Sequence, residues 1–182
     1  LIPLFLLSII GLYSFNVFSF ISPTIGTDSS QISEGINYKG NVCVTVRDAE
    51  GNIKSDECNH NVAMNIGLNR TRDILGLGIN SAFTNISLCN ASLSCGPPAA
   101  TDTTAQNPFG SCGLTSAAGT YANATGAGNW SVFRTFTSSC ASRLTNVTYI
   151  TNDAGTPLAG NSFTLVTLEN NDQITVNWTL TV

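Results

Sequence analysis

Residues 174–182, ITVNWTLTV, decide how this chain folds. Ile174, Val176, Trp178, Leu180 and Val182 fall on one side of an extended chain, and Thr175, Asn177, Thr179 and Thr181 on the other. Side chains alternate across a β-strand with a period of two, so this pattern specifies a strand with one face in a core and one in water. Shorter runs of strand composition recur at 130–137, 144–151 and 163–168, with turn-forming residues between them. Several such strands predict a β-sandwich with Greek-key connections.

Towards the N-terminus the pattern continues as a hairpin. Residues 42–47, VCVTVR, alternate; Asp48-Ala-Glu-Gly-Asn52 reads as a tight turn with Gly51 at a left-handed position; residues 53–58 return. That hairpin brings Cys43 close to Cys58, although a bulge at Gly51 would slip the register by one. Residues 61–75 space Val62, Ile66, Arg70 and Ile74 four apart, predicting a short amphipathic helix capped by Asn59 or Asn61. Residues 95–128 are rich in Gly, Ala, Pro and Thr and read as a long surface loop.

The six cysteines, Cys43, Cys58, Cys89, Cys95, Cys112 and Cys140, contain no Cys-x-x-Cys and have only His60 for company, which argues against zinc. In an exported chain they read as three disulfides. Among the 15 connectivities open to six cysteines, the hairpin singles out Cys43 with Cys58. For the other four, Cys89 with Cys95 and Cys112 with Cys140 is one reading, and the spacing leaves the alternatives open.

Residues 1–21, LIPLFLLSIIGLYSFNVFSFI, carry no charge. As a helix they would be about 30 Å long, enough to cross a bilayer or to sit among other apolar helices. A signal peptide would show a basic start and a small-residue cleavage site, yet no Lys or Arg precedes Lys39. A permanent anchor usually has flanking basic residues, and Ser22 to Asp28 supplies none. The chain opens on Leu rather than Met, from which we expect that something upstream has been cut away. An apolar N-terminus leading directly into a β-rich head resembles the type IV pilin-like proteins of archaea. In that family a membrane-resident peptidase removes a short basic leader, and the bare hydrophobic helices bundle into the filament core. Phe5 stands where bacterial members carry a glutamate, an acid that archaeal relatives often lack. The resemblance implies a homopolymer, resident in the membrane before assembly, with Leu1, Leu4, Phe5, Leu7, Ile10, Leu12, Phe15 and Phe18 as polymerisation residues. Adhesion follows from the resemblance alone.

Only 10% of residues are charged, well under the quarter or so typical of soluble domains. The net charge is −4, and the seven basic residues are scattered, so no basic face for nucleic acid can be drawn. Seven Asn-x-Ser/Thr acceptors occur, at Asn69, Asn85, Asn90, Asn123, Asn129, Asn146 and Asn177. With 20 Asn and 41 Ser and Thr among 182 residues, chance supplies about 4.5, so the excess is mild. Taken with the low charge, the acceptors fit a secreted surface hydrated by N-linked glycan.

Catalytic and cofactor chemistry is thin. His60, the one histidine, lies two residues from Cys58, but Cys58 is better used in the hairpin bridge. Gly76-Leu-Gly78 and Gly126-Ala-Gly128 are too short for phosphate loops. Asp48, Glu50, Asp56 and Glu57 with Asn52 gather at one turn but lack the distal bidentate Glu of a calcium loop. No catalytic residue, metal site or cofactor is therefore expected.

The sequence predicts an α+β chain: a long N-terminal hydrophobic helix (1–21), a connector (22–38) and an all-β, Ig-like sandwich head with one short helix (39–182). The expected role is a non-catalytic pilin of an extracellular, archaeal type IV pilus-like filament. The alternatives are a membrane-anchored glycosylated cell-surface or virion structural protein, and a filament joined by donor strands from residues 25–38 or the C-terminal strand.

Overall fold

The computed structural model describes residues 38–79, 81–123, 126 and 128–181. The hairpin comes first: β1 (Lys39–Arg47) and β2 (Ile53–His60) pair antiparallel, and Gly51 takes φ 91° in the turn. The register slips at Val46/Arg47, next to the turn, so that Cys43 and Cys58 stay directly opposite. Asp48 organises the turn, its carboxylate accepting from the Glu50 and Asn52 amides and the Asn52 side chain.

Among the described residues, ten strands build two antiparallel sheets of five. The first has the order β2-β1-β10-β7-β6, with β6 at Thr120–Asn123, β7 at Asn129–Thr137 and β10 at Gln173–Thr181. The second runs β3-β9-β8-β4-β5, with β3 at Val62–Ala63, β4 at Phe83–Leu88, β5 at Ala117–Ala118, β8 at Arg143–Asn152 and β9 at Pro157–Leu168. The last strand thus lies at the centre of the first sheet, paired over its full length with β1 on one side and β7 on the other. Its alternation is as the sequence reads: Ile174, Val176, Trp178 and Leu180 are fully buried, and Asn177 is exposed.

This corrects the expected α+β class. The described residues are mostly β-sheet, and their single helix, α1 (Asn65–Leu77), buries only Gly67, so it covers a sheet rather than forming a layer. Two five-stranded sheets also exceed the seven to nine strands of an immunoglobulin-type domain. The long apolar helix expected at residues 1–21, and with it every polymerisation residue, lies outside the described residues.

Smaller expectations change for physical reasons. The helix starts four residues late, because Val62 and Ala63 spend their backbone groups pairing with Gly160 and Ala159 of β9. Its N-cap is Met64, with no side-chain cap, and Gly78 closes the other end with its N–H on the Ile74 carbonyl. Residues 95–128 are not simply a surface loop: Phe109 and Leu114 enter the main core, and β5 and β6 follow. Between those two strands the chain leaves one sheet for the other at Gly119, where a Cβ would lie 2.6 Å from Val132 and 2.8 Å from the Phe133 carbonyl. Only glycine fits such a close crossing.

The other side of the sandwich is closed by side chains. β3 covers only two residues of the twelve-residue β9, and β2 caps backbone groups further along. Asn59 donates to the Ser162 carbonyl, Glu57 accepts from the Thr164 amide, and Lys54 donates to the Thr167 carbonyl and to Asp172, which is buried. An open edge that would invite another strand is thereby blunted. The Thr164 amide and the Asn59 side chain hold the Glu57 carboxyl below its ordinary value of 4.5. A depressed carboxyl contributes stability above its unfolded pKa and loses it as pH falls through the folded value. Glu57→Gln should therefore lower the urea midpoint at pH 7, by about 1 kcal/mol or less for so exposed a group. The difference between variant and parent should shrink as pH falls below the ordinary glutamate value and the carboxyl protonates; a difference that does not change with pH would show the seam does not depend on this charge.

Candidate functional site

All six cysteines are bridged, as Cys43–Cys58, Cys89–Cys95 and Cys112–Cys140. Each bridge fastens a different part of the sandwich. The first joins the edge strand β2 to β1 on the outer face of the first sheet. The second holds a segment against the outer face of the second sheet, where Met64, Cys89, Val147 and Tyr149 form a separate buried cluster. The third ties the loop carrying Leu114 to the turn after β7. Because that second sheet is covered on both faces, β8 is buried almost throughout, and burial pushes the Tyr149 hydroxyl up to about 12. Three bridges fit an oxidising environment outside the cytoplasm.

The outer face of the first sheet, by contrast, is open. One row across it reads Cys58, Cys43, Asn177, Phe133, Thr120; the next reads Asp56, Thr45, Thr175, Thr135. Thr45 donates to Asp56, and the Thr135 and Thr175 hydroxyls share a hydrogen bond of 2.7 Å. Hydroxyls and amides thus supply most of the polar surface of these two rows, with Asp56 as their one charged member.

The seven acceptors, equal in sequence, separate in space. Asn69 on α1, Asn123 on β6 and Asn177 on β10 are exposed, while Asn85, Asn90, Asn129 and Asn146 are half-buried. Asn85 donates its amide to the Asn152 carbonyl and to Asp153, and the hydroxyl of its triplet, Ser87, is buried against Ser116. Asn90 caps a single 3-10 turn at Ala91–Leu93. Asn123 is exposed, with its side-chain oxygen already accepting from the Tyr121 hydroxyl.

At the end where Tyr38 enters β1 there are two clefts. One, of about 560 Å³, lies among Lys39, Asn41, His60, Asn61 and Thr181. The other, of about 280 Å³, is apolar: Ile74, Phe83, Leu158 and Tyr121 stacked on Trp130 at 6.0 Å line it, and no charged residue does. Tyr38 borders both, and burial raises its hydroxyl well above the ordinary tyrosine value. Leu75 and Leu77, more than two-thirds exposed, end the helix that forms one wall. Nothing in the sequence announces this groove, because its lining is gathered from five separate elements and the segment before β1.

The Cys58/His60 pair is not available for nucleophilic chemistry, since Cys58 is in a disulfide. Among the described residues no cluster of His, Cys, Asp or Glu has the geometry to hold a metal ion. Asp48, the acid nearest to a calcium-loop position, spends its oxygens on the turn, and the Asn52 side chain first among these partners lowers its pKa. Among the described residues no helix is long and apolar enough to cross a membrane.

Comparison with protein-family models, with characterised proteins and with solved structures finds no match to this chain.

Proposed function

We propose that the protein is a structural subunit of an extracellular filament of the archaeal type IV pilin-like kind, self-assembling through its apolar N-terminal segment and presenting the sandwich outside. The observation that carries this reading is the junction of 21 uncharged, largely apolar residues with a disulfide-braced sandwich. Apolar surface of that extent requires a partner of its own kind or a lipid phase. The uncharged groove beside Tyr38 adds a second apolar surface, at the end of the sandwich where the chain enters β1. In this reading the bridges keep each subunit folded outside the cell, and the adhesive role belongs to the hydroxyl-rich outer face.

The donor-strand alternative loses one of its two candidate donors, because β10 is already hydrogen-bonded on both sides within its own sheet. The membrane-anchored alternative differs in one measurable respect. A filament subunit should be recovered from the medium by sedimentation without detergent. A protein released from cells only by detergent would replace the filament with an anchor.

A further inference from the structure

Phe133 is out of place. It is 43% exposed and stands on the polar outer face of the first sheet, among Thr120, Thr135, Thr175 and Asn177. The Cys43–Cys58 bridge lies beyond Asn177 in the same row, and the ring belongs to neither buried core cluster. Covering the open part of the ring with a neighbouring group would be favourable, because apolar area removed from water stabilises.

The register says what can cover it. β7 and β10 run antiparallel with Phe133 directly opposite Asn177. Directly opposed residues on one face have Cβ atoms about 4.5–5.5 Å apart. Asn177-Trp-Thr179 is a complete acceptor triplet; Asn177 is exposed and Thr179 lies two residues along on the same face, with its side chain partly open to solvent. Trp178 between them points the opposite way and is fully buried, which fixes the orientation of both.

We propose that Asn177 is an N-glycosylation site and that the first sugar of its glycan lies against the Phe133 ring. The donor is a lipid phosphate- or diphosphate-activated oligosaccharide. The side-chain nitrogen of Asn177 bonds to the sugar's anomeric carbon, the bond from that carbon to the phosphate oxygen breaks, and the amide proton leaves with the phosphate side. A pyranose presents a patch of C–H bonds on one face, and these carry the slight positive charge that the electron-rich face of an aromatic ring attracts. The sugar thereby covers the phenyl, and the phenyl limits the sugar's motion. Phe133 orients the sugar once it is attached and takes no part in its transfer, and the adjacent Cys43–Cys58 bridge stiffens the strand on the other side of Asn177. The inference needs passage through an extracytoplasmic, glycosylating compartment and does not depend on polymerisation.

The test uses the full chain recovered from cells that make it, with three variants. Thr179→Val removes the acceptor hydroxyl but keeps a β-branched side chain and leaves Asn177 in place; Phe133→Thr removes the ring; the third combines them. Mass spectrometry of the peptide containing Asn177 should show added sugar in the parent and in Phe133→Thr, and none in the two chains lacking Thr179. Thermal melting should fall by about 2–4 °C with either single change. In the double variant the loss should be no greater than in one single, because ring and sugar act together. A bare Asn177 in the parent would overturn the site. A glycan at Asn177 with strictly additive losses would overturn the pairing with Phe133.

Discussion

A full-length chain carrying Leu7→Lys is expected to yield no sedimentable polymer while its sandwich melts at the parent temperature. Position 7 lies well inside the uncharged N-terminal segment, about two turns from its start if helical, and in the proposed filament it is surrounded by the same segment of neighbouring copies. An ammonium there has no acid to pair with, since no Asp or Glu occurs before Asp28. Even in bilayer-like surroundings a central lysine costs about 2.5–3.5 kcal/mol. At about 1.4 kcal/mol per tenfold, each association step weakens by roughly 100-fold, and a polymer compounds that loss at every subunit. Leu7→Met, apolar and similar in volume, should assemble normally. Analytical ultracentrifugation of both variants separates the outcomes; normal assembly of Leu7→Lys would remove the N-terminal segment from the interface.

Trp178→Ala should bring the largest loss of folding stability. Trp178 is fully buried at the centre of the first sheet, paired with Val42 of β1 and Val132 of β7. Truncating a buried tryptophan costs about 3–5 kcal/mol, from lost transfer energy and the cavity left behind. Domains are stable by about 5–15 kcal/mol in total, so about a fifth of the stability or more would go. Trp178→Phe, which keeps an aromatic ring and leaves a smaller cavity, should cost less than Trp178→Ala. The indole N–H has no hydrogen-bond partner among the described residues, so the smaller ring forfeits none. Chemical denaturation followed by circular dichroism measures both; equal losses would mean the indole is held by something other than packing.

What the sequence made legible was local. Alternation in β10 and the turn at Gly51 depend on residues within ten positions of one another, and the structure keeps both. The α+β assignment rested on residues 1–21, whereas the described part of the chain is mostly β. The short strands β5 and β6, in different sheets, escaped notice because Ala117, Ala118 and Gly119 carry almost no strand signal; they are strands because of where Gly119 lets the chain cross. β8 hides Thr145, Thr148 and Thr151 from water, which alternation cannot foretell, because the covering segment is distant in sequence. The Lys54–Asp172 ion pair spans 118 positions, and no spacing rule reaches that far. The acceptor triplets show the same limit: seven were identical as motifs, and only burial and register distinguish exposed Asn177 beside Phe133 from Asn85, whose amide is already engaged.

The central claim, that this chain is a self-assembling extracellular subunit, is tested most directly by negative-stain electron microscopy of cell-free medium, with antibody against the sandwich to mark the protein. Labelled filaments of uniform width are expected, abundant without detergent and absent from cells making Leu7→Lys. Label found only on membrane fragments or on dispersed single particles would contradict it.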